Sequence, residues 1–118
     1  MGKTVVVVDD SAYQRKTIAD ILTAAGFEVV GEAKNGEIAI DIVLDESPDY
    51  VTMDNIMPGL NGVEASEAIK SEGGKSKILM VSSVAQEAAV KDALSRGVDK
   101  FLKKPFTNDE LISALNPL

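Results

Sequence analysis

The sequence predicts an α/β domain: a five-stranded, parallel, doubly wound sheet in the order 2-1-3-4-5, covered by five helices. Two observations predict the class. Short apolar runs rich in β-branched residues alternate five times with segments of helical period, which implies a mostly parallel sheet with helices on both faces. The first of these runs, "KTVVVVDD", is also apolar without alternation, as in a strand buried on both sides. A third observation limits the size. The chain has 118 residues, enough for one hydrophobic core, so a single domain is expected over residues 1–118. Right-handed crossovers leave few topologies for five strands, and 2-1-3-4-5 is the economical one.

The elements follow in order. "KTVVVVDD" (3–10) is the first strand. Ser11 stands where a helix N-cap belongs, before "AYQRKTIADILTAAG" (12–26), whose stripe is Ile18, Ile21, Leu22 and Ala25 and whose stop is Gly26. "FEVVGEA" (27–33) is the second strand. "NGEIAIDIVLDES" (35–47) is a helix with Ile38, Ala39, Ile42 and Val43 on one face. Pro48 punctuates, and "DYVTMD" (49–54) is the third strand. After a proline–glycine break, "GVEASEAIKSEGG" (62–74) is a short helix ended by Gly73 and Gly74. "SKILMVSS" (76–83) is the fourth strand. "AQEAAVKDALSRG" (85–97) is a helix with the stripe Ala89, Val90, Ala93 and Leu94, closed by Gly97. "DKFLKK" (99–104) is the fifth strand. "TNDELISALNPL" (107–118) is a last helix, capped by Thr107 or Asn108.

Composition excludes several classes. There is no cysteine and no histidine, which removes disulfides, Cys/His zinc sites and a histidine general base. The net charge of −7 opposes general nucleic-acid binding and suits a divalent cation or a basic partner. No apolar run approaches the roughly 20 residues that span a bilayer. "MGKTVVVVDD" does not have the plan of a secretory leader, so a cytoplasmic location is expected, with no membrane partner.

The chemistry is expected at one edge. Ligands of open α/β sheets bind beyond the carboxyl ends of the strands, at the point where strand order reverses. Here the first strand ends in Asp9 and Asp10, the third in Asp54, the fourth in Ser82 and Ser83, and the fifth in Lys103 and Lys104. Each feature alone is ordinary turn or cap chemistry. Together they gather three carboxylates, hydroxyls and lysines where apolar ends would avoid carboxylate repulsion. Oxygen ligands without His or Cys suit Mg²⁺, with Mn²⁺ possible. Metal, lysine and hydroxyl form a receptacle for a phosphoryl group. Asp54, ending the middle strand, is the candidate nucleophile, since an aspartate can form an acyl phosphate.

The motifs "VVDDSA", "VTMDNIMPGLNG", "MVSS" and "FLKKPF" span nearly the whole chain. With them the chain resembles response-regulator receiver domains, and among these the CheY-like single-domain chemotaxis regulators. That family is itself a type example of the 2-1-3-4-5 flavodoxin-like order, so topology and resemblance are one expectation rather than two. The resemblance implies that Asp54 accepts a phosphoryl group from a phosphohistidine on a sensor histidine kinase (CheA-like). It implies that Asp10, Asp54 and the Ile56 backbone carbonyl ligate Mg²⁺ directly, with Asp9 acting through a metal-bound water. It assigns Ser82 and Lys104 to the phosphoryl oxygens, makes Phe101 a switch aromatic that follows Ser82, and expects a cis Lys104–Pro105 peptide. The protein would catalyse only its own phosphorylation and dephosphorylation. It would act as a monomer on a protein target, the flagellar motor switch being the leading candidate.

Several positions depart from the family pattern. Asn55 replaces an apolar or aromatic residue. Ile56 replaces a commonly polar residue or Met. Ser83 stands for the commoner Ala, and Phe101 for the commoner Tyr. Asn55, Ile56 and Val84 are expected to flank the phosphoryl pocket; Ile56 and Val84 would do so with apolar side chains, so slow loss of phosphate is expected. Three other readings fit the sequence less well. A pseudo-receiver typically lacks one of the acids or the lysine, all of which are present. A flavin or nucleotide protein needs a Gly-rich or Ser/Thr-rich loop after the first strand, and "DDSAYQ" is acidic without glycine. An aspartyl phosphatase places a second acid two residues after its nucleophile, where this chain has Ile56. A receiver cut from a larger response regulator or hybrid kinase is equally compatible with the motifs.

Overall fold

A computed structural model describes residues 3–118; the first two residues of the expected domain lie outside the described part. The elements run β1 (Thr4–Val8), α1 (Ala12–Ala24), β2 (Glu28–Ala33), α2 (Gly36–Glu46), β3 (Tyr50–Asp54), α3 (Gly62–Ser71), β4 (Lys77–Ser82), α4 (Glu87–Ser95), β5 (Lys100–Lys103) and α5 (Asn108–Leu115). The five strands form one parallel sheet in the order β2-β1-β3-β4-β5. Strand order reverses between β1 and β3, which pair from Val5↔Tyr50 to Val8↔Met53.

Successive strand residues point to opposite faces, so each apolar run feeds two cores. Val6, Val8, Val51, Met53, Ile78 and Met80 pack with Ala39, Val43, Val63, Ile69 and Ala93 from α2, α3 and α4. Val5, Val7, Tyr50 and Leu79 pack with Ile18, Leu22, Leu111 and Leu115 from α1 and α5. Each fully buried aliphatic side chain contributes about 1.5–3 kcal/mol relative to exposure. Continuous rather than alternating hydrophobicity in β1 is thus the direct trace of a sheet covered on both sides.

Local signals set the helix starts. Ser11 accepts from Gln14 N and Asn35 from Ile38 N, while Asn61 with Glu64 and Thr107 with Glu110 form reciprocal capping boxes. Between the two candidates at α5, Thr107 is the cap. In β2 one residue is inserted opposite β1, where Val5 pairs with Val29 but Val6 pairs with Gly31. A Cβ on Gly31 would sit 2.8 Å from Ile42 Cγ2, so the glycine lets α2 close on the sheet.

Two stripe residues depart from expectation. Ala25 is the C-cap of α1 and is exposed, because the helix ends before a further turn could bring it over the sheet. Leu94 has the right spacing on α4 but is 46% exposed, because only Ala93 of that helix is buried. Among the described residues no helix is long and apolar enough to cross a membrane.

Candidate functional site

The carboxyl edge of the sheet gathers side chains from the ends of β1, β3, β4 and β5. Asp9 follows β1 directly. Its N–H donates to the Ala33 carbonyl at 3.0 Å, which extends the β1–β2 pairing by one residue. The side chain is thereby drawn inward and is only 2% exposed. Asp9 Oδ1 accepts from Ser11 N at 2.9 Å, and Oδ2 accepts from Lys104 Nζ at 3.3 Å. Asp10 is exposed at the rim of the same cluster. Asp54, the last residue of β3, is buried and accepts from Lys104 Nζ at 3.4 Å through Oδ1.

Carboxylate oxygens of Asp9, Asp10 and Asp54 all lie within 4.8 Å of one another. Such packing has an electrostatic consequence. Burial, and after it the Asp9 charge, push the Asp54 carboxyl from 3.8 up to about 6, with Lys104 opposing the rise and Asp10 adding to it. The single ammonium of Lys104 therefore does not neutralise the cluster. An all-oxygen donor set with unrelieved negative charge fits a hard divalent cation. Asp9, Asp10 and Asp54 are the residues that could hold one.

Lys104 reaches the acids because β5 delivers it. Its backbone N–H donates to the Ser82 carbonyl at 2.9 Å, tying the ends of β4 and β5, and the Lys104–Pro105 peptide is cis. Ser82 is fully buried, and its Oγ accepts from Val84 N at 3.1 Å. Ser83 is exposed. Phe101, on β5, is half-buried against the core on the α2–α3–α4 face. Ile56 and Val84 carry exposed apolar side chains, 59% and 42% accessible, in the loops after β3 and β4.

Three contacts around the site have no counterpart in the expectations above. Asn55 closes the loop after β3: its carbonyl accepts from Gly62 N at 3.0 Å and its Oδ1 accepts from Val63 N at 3.2 Å. Its backbone and its side chain therefore each satisfy one free amide at the start of α3. Gly62 is required by the same closure, since a Cβ there would lie 2.3 Å from the Asp54 carbonyl oxygen. Arg15, on α1, donates from Nη1 to the Asp9 carbonyl at 2.7 Å and pairs through Nε with Glu32 at 3.5 Å. "NG" before a helix was the available signal for Gly62; nothing local announces the partners of Asn55 or Arg15.

Comparison with known proteins agrees with this geometry. The family model "Response regulator receiver domain" matches residues 5–116. The chain is 42% identical over 116 residues to the chemotaxis protein CheY of Thermotoga maritima, covering 98% of this chain and 97% of that one. It is 41% identical over 116 residues to CheY of Bacillus subtilis, with the same coverage. Among solved structures, CheY in the CheX–CheY–BeF3–Mg complex of Borrelia burgdorferi superposes with a TM-score of 0.92 at 29% identity, covering 96% of this chain and 86% of that one. The receiver domain of a Mycobacterium tuberculosis NarL superposes with a TM-score of 0.93 at 31% identity, covering 97% and 93%. The chain belongs to the response-regulator receiver domain family, a family of signalling proteins, and within it is closely related to the CheY chemotaxis regulators.

Proposed function

We propose that this chain, as one receiver domain over residues 1–118, takes a phosphoryl group onto Asp54 from a phosphohistidine of a CheA-like sensor kinase. The observation that carries the reading is the cluster itself: three carboxylates within 4.8 Å, with Lys104 Nζ at 3.3 Å from Asp9 and 3.4 Å from Asp54. Asp9, Asp10, Asp54 and the Ile56 carbonyl would hold Mg²⁺, Asp9 through a water, and the cation would supply positive charge against both the carboxylates and the incoming phosphoryl oxygens. An Asp54 carboxylate oxygen replaces the imidazole nitrogen on phosphorus, and the departing imidazole takes up a proton. Lys104 leaves its bridge between the acids to pair with a phosphoryl oxygen. Ser82 donates its hydroxyl to another.

The added charge of about −1.5 to −2 changes which arrangement of Ser82, Lys104 and Phe101 is favoured. Ser82 and Lys104 are already linked through backbone, and Phe101 sits on the strand that carries Lys104, so a shift of one is felt by the others. The surface of α4, β5 and α5 then meets a protein target, such as a flagellar motor switch or a CheX-type protein. The protein works in the cytoplasm as a monomer and catalyses only its own phosphorylation and dephosphorylation.

Intact mass after incubation with a small phosphodonor and Mg²⁺ tests the reading. Wild type gains one phosphoryl group and Asp54→Ala gains none; no adduct on either protein overturns it. Ile56 and Val84 carry exposed apolar side chains in the loops that follow Asp54 and Ser82, and on this reading they leave water poorly placed for attack on the acyl phosphate. Polar replacements at both positions are expected to speed decay of the phosphoprotein several-fold, followed by loss of the mass adduct with time. Unchanged decay would remove those two residues from the account.

A further inference from the structure

We propose that Arg15 is a positioning residue for the cation site, acting through the Asp9–Asp10 peptide. The inference rests on the reading of Asp9, Asp10 and Asp54 as a divalent-cation site. Arg15 Nη1 donates to the Asp9 carbonyl at 2.7 Å, a short charge-assisted bond. That carbonyl belongs to the peptide plane that carries the Asp10 Cα, so holding it restrains the point from which the Asp10 side chain reaches the site. Asp10 is exposed, and its aim depends on the peptide more than on packing. The other side of Asp9 is already fixed, by its N–H on Ala33 and by Ser11 N on its Oδ1. Arg15 completes that set of restraints. It is itself held: its side chain is 18% exposed, and its Nε faces Glu32 on the edge strand at 3.5 Å. Outer partners of metal ligands commonly change affinity by about tenfold or more when removed.

Charge alone predicts the opposite. Arg15 is a cation close to a site for a cation, and removing it should tighten binding by plain Coulomb repulsion. Positioning and charge thus differ in sign, which makes the proposal testable without any measurement of phosphorylation. Mg²⁺ dissociation constants would be measured by titration calorimetry on wild type, Arg15→Met and Arg15→Lys, with metal-free thermal melts of each. Arg15→Met keeps most of the stem and removes the fork; Arg15→Lys keeps the charge and has a fold close to wild type should the first variant unfold. The expected result is Mg²⁺ binding about tenfold weaker in both variants, beyond any change in the metal-free melting temperature. Affinity equal to or tighter than wild type in either folded variant overturns the positioning role while leaving the cation site standing. Absence of Mg²⁺ binding by wild type overturns the cation site itself, and this inference with it.

Discussion

Helices α3 and α4 are neighbours in the chain and cover the same face of the sheet, yet they are held very differently. α3 buries Gly62, Val63, Ala65, Ser66 and Ile69, starts with a reciprocal capping box and ends on Gly73 in the left-handed region. α4 buries only Ala93, has no side-chain cap at Gln86 and leaves Leu94 half in solvent. The strands beneath them repeat the contrast. All five residues of β3 are buried, and none of the four in β5 is. So the acids stand on the firm part of the molecule, and the lysine and Phe101 on the part with least buried area. A site that holds a cation in fixed geometry while passing a signal outward, as proposed above, needs both. Local stability follows burial, so α4 and β5 are where a charge change on Asp54 can be felt at low cost.

The sharpest test of that contrast is a pair of truncations, and the first has the largest expected effect. Ile69→Ala removes a fully buried side chain on α3 and should destabilise by about 2–5 kcal/mol in urea denaturation. Next in size is the electrostatic strain at the acidic end. The Asp54 carboxyl, raised from 3.8 to about 6, holds its proton more tightly in the folded chain. That contribution is complete below about pH 4 and is lost as pH rises through about 6. Asp54→Asn should therefore leave stability unchanged at pH 4 and raise it by on the order of 2 kcal/mol at pH 7 in EDTA, read from urea midpoints. Mg²⁺ should close that gap by stabilising wild type alone. A smaller effect is expected at the junction that fastens α3: Asn55→Ala should cost about 1 kcal/mol by freeing the Val63 amide. The smallest is Leu94→Ala, below about 1 kcal/mol in the same denaturation assay. If Leu94→Ala costs as much as Ile69→Ala, α4 is held as firmly as α3 and the comparison fails.

Much of this was legible in the chain because the signals are local. Apolar runs, caps and glycines placed all ten elements, and the ends of those elements located Asp9, Asp10, Asp54, Ser82 and Lys104 at one edge. What could not be read was of two kinds. Periodicity states which residues share a helix face but not whether anything covers that face, and so Leu94 looked like core. Bonds from a side chain to distant backbone leave no trace in spacing. Arg15 on the Asp9 carbonyl is one such bond. Thr4 with Asp49, a hydroxyl–carboxylate pair joining two strands' beginnings at 3.1 Å, is another. Asn55 is the instructive case: as a departure from the family pattern it drew attention to the phosphoryl pocket, whereas its polar atoms serve the start of α3.

The two hydrogen bonds from Gly62 and Val63 to Asn55 act as a clasp at the base of the loop 56–61. With the base closed, the exposed loop side chains do not have to keep Asp54 in place. Ile56 and Pro58, both exposed, can be exchanged while the strand end and the helix start stay where they are. Under the proposed function, side-chain substitutions at Ile56 would retune the lifetime of the phosphoryl group while its backbone carbonyl and the acids keep their places. A timer built this way would be modular: its clock could be reset without rebuilding its receiver.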